Sequence, residues 1–422
     1  AKAGNNVLML KGGDPYVFGR GGEEGEYLYE RNIPFEVVPG ITSAIGGLAY
    51  AGIPITHRGI ARCFHVITGH LKSQEEELDW KTLAALDGTM VFLMGVSNLK
   101  MISDNLIANG KDPNTPVAVI NWASTPKQRT VEGTLSNIYE KVLEEKIKNP
   151  SLIVVGEVVN FRTSLDFFSK KPLLGKNIVV TRGTTQRADI IKKLTRLGAN
   201  VLSMPTIEIK EITPNTQLDE AIKNIHKYTY VIFTSVNGVN IFFKRLFELG
   251  YDVRKLANIK VGAIGTITAK TINRYGINVD FIPKKYVGES LVEELKEVIS
   301  EKDRILIPRA KAGRPLIVEE LSKICIVDEV KTYETIKAKE DNQHIIDILK
   351  ELDSYYILFS SSSTFINFKK IARDNAEELL KKSKIISIGP VTSKTIEEDG
   401  YPIYKQANKY NFEGIIEILL KE

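Results

Sequence analysis

The segment LKGGDPYVFGRGGEE at residues 10–24 is the densest run of residues in this sequence that could do chemistry. Gly12 and Gly13 let the backbone approach a ligand closely or take positive φ, and Asp14 is a short acceptor where Pro15 turns the chain. Spacing alone favours an ordinary turn over a ligand loop. The run also lacks the G-x-x-x-x-G-K-S/T pattern that cradles nucleoside triphosphates. His57, His65 and His70 invite a metal reading. His65 and His70 flank the turn VITGH without a fourth soft ligand nearby, so structural or substrate-contacting roles are expected in place of zinc. Further along, hydroxyl-rich turns such as FTSVNGV and FSSSSTF follow apolar runs, where open α/β sheets bind ligands.

Parallel-sheet patterning must position these residues. Short apolar runs alternate with helical stretches throughout: VLML, FEVV, FHVITG, MVFLMG, PVAVI and SLIVVG come first, then NIVVTR, ANVLSMP, YVIFTS, KVGAIG, RILIPRA, YILFSS and KIISIG. Such runs separated by helices predict α/β domains with parallel sheets covered on both faces. Pro172 and Gly175 interrupt the chain at residues 169–175, and two architectures meet there, a domain over 1–170 and another over 171–422. The second repeats itself: VVTRG (179–183) matches LIPRA (306–310), VIFTSVNGV (231–239) matches ILFSSSSTF (357–365), and AIGTITAKTI (263–272) matches SIGPVTSKTI (387–396). Three matches in the same order predict two α/β lobes on a common plan. Polar stretches at 210–215 and 333–341 read as two crossings, giving one lobe of about 176–209 plus 337–422 and another of about 216–332. A cleft between the lobes is the default site, and a double-crossing hinge suits closure over a large ligand.

The 422 residues are 43% hydrophobic and 26% charged, which excludes disordered and collagen-like chains. Two cysteines far apart cannot build a disulfide framework, so a reducing, cytoplasmic setting is expected. No apolar run reaches the roughly 18 residues of a membrane helix. Residues 1–172 hold 18 basic against 19 acidic groups and the remainder 39 against 33, a mild excess that solvated helix faces account for. No basic stripe interleaved with aromatics points to nucleic acid.

The glycine run is followed by VPGITSAIGGLAYAGIPITHRG (38–59), VITGHLK (66–72), VFLMG (91–95) and VAVINWASTPKQRTVEGTL (117–135). Together these resemble uroporphyrinogen-III C-methyltransferase, which methylates a tetrapyrrole from S-adenosylmethionine on the way to sirohaem and cobalamin. The resemblance implies that Gly12, Gly13, Asp14 and Val17 contact the methionine part of the cofactor, with Thr42 and Ser43 next. It implies that Met94 and the backbone of Ala123 border the adenosyl group. Without the resemblance, Met94 reads equally as a core thioether. Arg20, Arg58 and Arg129, with His57, are candidates by charge for the substrate carboxylates. Members of this family are usually dimers, which implies a homodimer through this half. They also carry an earlier strand and glycine-rich loop that this sequence lacks before its first residue. An incomplete first domain is therefore expected, with an exposed sheet edge and poor methyl transfer.

From residue 175 onward the pattern resembles uroporphyrinogen-III synthase, through the repeated motifs together with LIPRAKAGRPLIVEEL and VKTYET. That family closes linear hydroxymethylbilane into a ring while inverting its last pyrrole, without a cofactor. The resemblance makes Tyr333 the group that helps the hydroxyl leave; packing at the hinge is its plainer role. It makes Thr268, Ser360 and Thr392 hydroxyls that face the substrate, although each also reads as a helix cap. A bifunctional enzyme of tetrapyrrole synthesis is the leading expectation. Activity of the synthase alone is one alternative, and a two-lobed solute-binding module is another of a different class.

Overall fold

The computed structural model describes residues 1–69, 78–285, 288–338 and 341–422. The apolar runs of the first half fold into one mixed sheet. Its strands are β1 (Phe64–Thr68), β2 (Thr89–Leu93), β3 (Pro116–Asn121), β4 (Arg129–Thr134) and β5 (Ser151–Val155), in the order β1-β2-β5-β3-β4. β2 and β5 are unbroken apolar runs because both of their faces are buried. Met90, Phe92, Ile153 and Val155 pack on one side, and Val91, Leu93, Leu152 and Val154 pack on the other with Leu48 and Ile53.

Two expectations fail here. Only β1 and β2 are parallel; β5 runs antiparallel to β2 and β3, and β4 antiparallel to β3. The short loop at 122–128 cannot make a parallel crossover, which needs a dozen or more residues. VLML and FEVV are not strands, and Leu8, Leu10 and Val38 are 80%, 86% and 78% exposed. No described strand runs beside them, and an extended segment becomes a strand only when its N–H and C=O groups are paired.

The connector to the second half is packed at both ends. Asp166 binds Arg162 at 2.9 Å and accepts from the Ser169 N–H, Phe168 stands edge-on to Tyr50, and the Leu173 N–H donates to Leu197 O at 3.0 Å.

Beyond it lie β6 (Asn177–Val180), β7 (Asn200–Ser203), β8 (Ile207–Glu211), β9 (Tyr230–Phe233), β10 (Lys260–Ala263), β11 (Arg304–Ala310), β12 (Ile326–Lys337), β13 (Tyr355–Phe359), β14 (Ser383–Ser387) and β15 (Lys405–Gln406). They form two sheets, β15-β14-β13-β6-β7 (lobe one) and β10-β9-β11-β12-β8 (lobe two). Lobe one is parallel throughout, and lobe two is parallel except at β8. Matched by motif, the two spatial orders agree: β14 with β10, β13 with β9, β6 with β11 and β7 with β12. The strand carrying VVTR thus joins the later copy of the other motifs, and the strand carrying LIPR joins the earlier copy. Each sheet is walled by apolar helices, with Phe242 and Phe243 against Phe233, and Phe365 and Phe368 against Phe359.

The two crossings pair with each other. Residues 333–337 of β12 run antiparallel to β8, giving a ribbon of about 17 Å at the usual strand rise. At one end it leaves the C-terminal edge of lobe two. At the other, the Ala338 N–H donates to Thr206 O, and the Thr206 hydroxyl donates to Thr181 O and Thr364 O, both at 3.1 Å beyond the C-terminal edge of lobe one. The ribbon therefore ties together the two edges at which parallel sheets present their ligand-binding turns. Among the described residues no helix is long and apolar enough to cross a membrane.

Candidate active site

In the first half, β1, β2 and β3 all end at one edge of the sheet, which brings Met94 and Ala123 to the same side. Met94, Trp122 and Ser124 there hold φ of 56°, 48° and 65°. Non-glycine residues take this left-handed conformation at a cost, and a cluster of them marks a constrained site. Met94 is half exposed and therefore not a core thioether. The helix Ser43–Tyr50 joins this edge to the glycine run. A side chain at Gly47 would strike Leu152 and Ala123, and Gly13, at φ +85°, lies against Ile41 O and the Thr42 backbone. Thr42 caps that helix, Ser43 is its exposed first residue, and Val17 is half-buried. Gly12 is open, with nothing within 4 Å of where a Cβ would stand.

The Asp14 carboxylate is a staple between loops: Oδ1 accepts from the Tyr16 N–H at 2.8 Å and Oδ2 from the Gly40 N–H at 3.1 Å. Each oxygen retains a lone pair for a cationic ligand. By chemistry, the Asp14 carboxylate suits a cationic group such as a sulfonium, and Met94 with Ala123 suits an aromatic base.

The basic candidates scatter. Arg20 is held by Glu23 at 2.6 Å, whose hydrogen bond raises its pKa, and Arg129 binds Glu145. Arg58 is exposed, beside His57, which stacks on Phe161 at 4.0 Å. The His65 ring meets Asp87 O at 3.3 Å and Cys63 Sγ at 3.7 Å. His70 lies outside the described residues.

In lobe two the Tyr333 hydroxyl lies 2.9 Å from Ser235 Oγ, at the strand edge where the ribbon begins. Tyr333 is only 6% exposed, while Ser235 is half-buried two residues after β9. Ser235 also caps the helix Val236–Glu248 by accepting from the Gly238 N–H at 3.1 Å. Thr268 and Thr392 occupy equivalent third positions of the helices Thr266–Asn273 and Pro390–Glu398, and both are buried. Their neighbours Ile267 and Val391 face outward instead, 53% and 76% exposed. Ser360, half-buried, follows β13 directly.

Three residues not singled out by the sequence stand at the strand ends of the two lobes, Ser235 and Arg309 in lobe two and Arg182 in lobe one. Ser235 was legible as the hydroxyl of the repeated FTS/FSS turn. Arg182 and Arg309 end equivalent strands of the duplication. Burial lowers the pKa of Arg182, which lies over the Phe412 ring, and Arg309 is buried beside Glu329 at 3.4 Å.

Comparison with known proteins gives these edges a family. The profile described as uroporphyrinogen-III synthase HemD matches residues 188–417, more than half of the chain. The chain belongs to the HemD family of uroporphyrinogen-III synthases. Ahead of the HemD region, the profile of tetrapyrrole (corrin/porphyrin) methylases matches residues 1–139. A porphyrin biosynthesis protein HemD from Ruminiclostridium josui is 38% identical over 420 residues, 99% of this chain and 82% of that protein. A uroporphyrinogen-III C-methyltransferase from Bacillus subtilis is 44% identical over 60% of this chain, which spans about half (52%) of that relative. Among solved structures, a uroporphyrin-III C-methyl transferase from Thermus thermophilus in complex with S-adenyl homocysteine is 42% identical over 38% of this chain and 69% of its own, with a TM-score of 0.33. HemD and methylase regions thus lie in tandem on one chain, and the Ser235–Tyr333 pair falls within the former.

Proposed function

We propose that this chain carries two successive steps of tetrapyrrole synthesis in the cytoplasm. The HemD region would cyclise hydroxymethylbilane to uroporphyrinogen III with inversion of the last ring. The methylase region would convert that product to precorrin-2 with S-adenosylmethionine, toward sirohaem or cobalamin. The observation that carries the reading is the Ser235–Tyr333 hydroxyl pair at the ribbon end of lobe two, inside the region of the HemD match.

Cyclisation asks little of a protein. The hydroxyl must leave, the resulting cation must be kept from water, and the chain must be coiled so that the terminal ring attacks at its substituted carbon. A hydroxyl donor at a strand end serves the first need. Thr268, Ser360 and Thr392, with the strand-end N–H groups of both lobes, would hold the carboxylates. Ile267 and Val391 offer apolar contact to pyrrole faces.

For methyl transfer, Gly12, Gly13, Asp14, Val17, Thr42, Ser43, Met94 and Ala123 would hold S-adenosylmethionine, which supplies a methyl group on a positive sulfur. Asp14 and nearby carbonyls would stabilise that charge, and Arg20 and Arg58 would meet substrate carboxylates. The methylase half would pair with a second copy. Incubation of the chain with hydroxymethylbilane, with and without labelled S-adenosylmethionine, tests both steps. Type III porphyrinogen is the expected product of the first step, and label that enters it only when the cofactor is present would report the second. Type III product without label would leave the synthase alone, and reversible binding without turnover would overturn the reading in favour of a solute-binding module.

A further inference from the structure

We infer that Tyr333 acts through Ser235, which delivers the proton to the departing hydroxyl; this rests on the synthase reading above. Four observations meet at this pair. β12 slips register against β11 between Arg309 and Ala310, so that Arg309 faces Lys331 but Ala310 faces Tyr333. Thr332 is the extra residue, and it fills the bulge by donating its hydroxyl to Arg309 O at 3.2 Å, with no exposed surface. In a regular strand Val330 and Thr332 would share a face; here Val330 and Tyr333 share it, packed in one cluster. The bulge thus turns the phenol onto the end of β9.

There the phenol is nearly sealed, whereas Ser235, its hydrogen-bond partner, is the more exposed of the two hydroxyls. Either hydroxyl of the pair can donate; in the arrangement where Tyr333 donates to Ser235 Oγ, as the Gly238 N–H does, the serine proton is left for a third partner. The thirteen-residue helix that begins there favours negative charge at Oγ. The duplication supplies the control. Ser361 occupies the matching position in lobe one and caps its helix in the same way, but its hydroxyl partner is Ser363 at 2.8 Å, with no phenol.

The step balances. The Ser235 proton passes to the hydroxyl oxygen and the carbon–oxygen bond breaks with its electron pair on oxygen, releasing water. The adjoining pyrrole nitrogen shares its lone pair with the cation so formed. Tyr333 reprotonates Ser235, and the proton shed when the closing ring regains aromaticity returns by the same path. The net change is loss of one water.

The experiment uses the full chain with hydroxymethylbilane and separates type III from type I porphyrin after oxidation. Ser235→Asn keeps an acceptor for the Gly238 N–H but cannot relay a proton. It should lower kcat about 100-fold with little change in KM and in melting temperature, whereas Ser235→Thr should recover most of the rate. Ser235→Asn combined with Tyr333→Phe should be no slower than the worse single variant. Full activity of Ser235→Asn, or losses that multiply in the double variant, would overturn the relay and leave the synthase reading standing. A parent chain that forms no type III isomer would overturn that reading and the relay with it.

Discussion

Lobe one and lobe two share a strand order and three strand-end motifs, yet they differ in what meets the capping serine. Ser361 meets another serine, whereas Ser235 meets a phenol that only a bulge could bring there. The partner strands differ accordingly: β7 has four residues, and β12 has twelve and runs on into the ribbon. The duplicated parts are scaffold, with matched cores and caps. On the proposed reading, chemistry sits where the copies diverge, as expected when function is grafted onto a fold that does not itself dictate it.

Matched cores should respond alike. Phe233 and Phe359 hold equivalent positions, both fully buried, with edge-on contacts to Phe242 at 5.3 Å and to Phe368 at 5.7 Å. Either one changed to Ala should cost about 3–5 kcal/mol by denaturant titration. A loss confined to one lobe would break the equivalence. The site should respond on one side only: Tyr333→Phe is expected to slow ring closure by about tenfold or more, while Ser361→Ala leaves the rate near that of the parent. Unchanged turnover of Tyr333→Phe at matched stability would remove Tyr333 from the chemistry. Ser361→Ala should instead lower stability by about 1 kcal/mol through loss of its cap.

The smallest effect lies on the surface of lobe two. Hydrogen bonding from Arg245 holds the Asp219 carboxyl below its ordinary range. A depressed carboxyl stabilises the fold above its unfolded pKa, and that contribution fades as pH falls through the folded value. Because the pair is partly exposed, Asp219→Asn should cost only about 0.5 kcal/mol at neutral pH. The gap between variant and parent should close below about pH 4. A gap that widens in acid would contradict the assignment.

Much of this could be read from residues alone. The apolar runs from β6 to β14 and the three repeated motifs are local signals, and local signals survive in sequence. The VLML and FEVV runs misled because a strand depends on a neighbour, which composition does not specify. Mixed pairing in the first sheet escaped for the same reason. At the sites, GGDP marked its loop, but the double duty of Asp14 toward Tyr16 and Gly40 needed the fold. Tyr333 stood out by resemblance. Its partner depended on one extra residue at Thr332, and a bulge leaves no signature in hydrophobic periodicity.

The exchange of first strands between the two copies sets a timetable for synthesis on the ribosome. Every strand of lobe two's sheet lies between residues 207 and 337, so that sheet can close while the chain is still being made. The Thr181 hydroxyl donates to Leu358 O across 177 residues, and β6 has only β7 beside it until β13 emerges. Lobe one therefore closes last, around a finished neighbour. A nascent chain stalled before residue 355 would display β6 and β7 as a lone strand pair with an open apolar edge where β13 belongs, the form of this protein most in need of a chaperone.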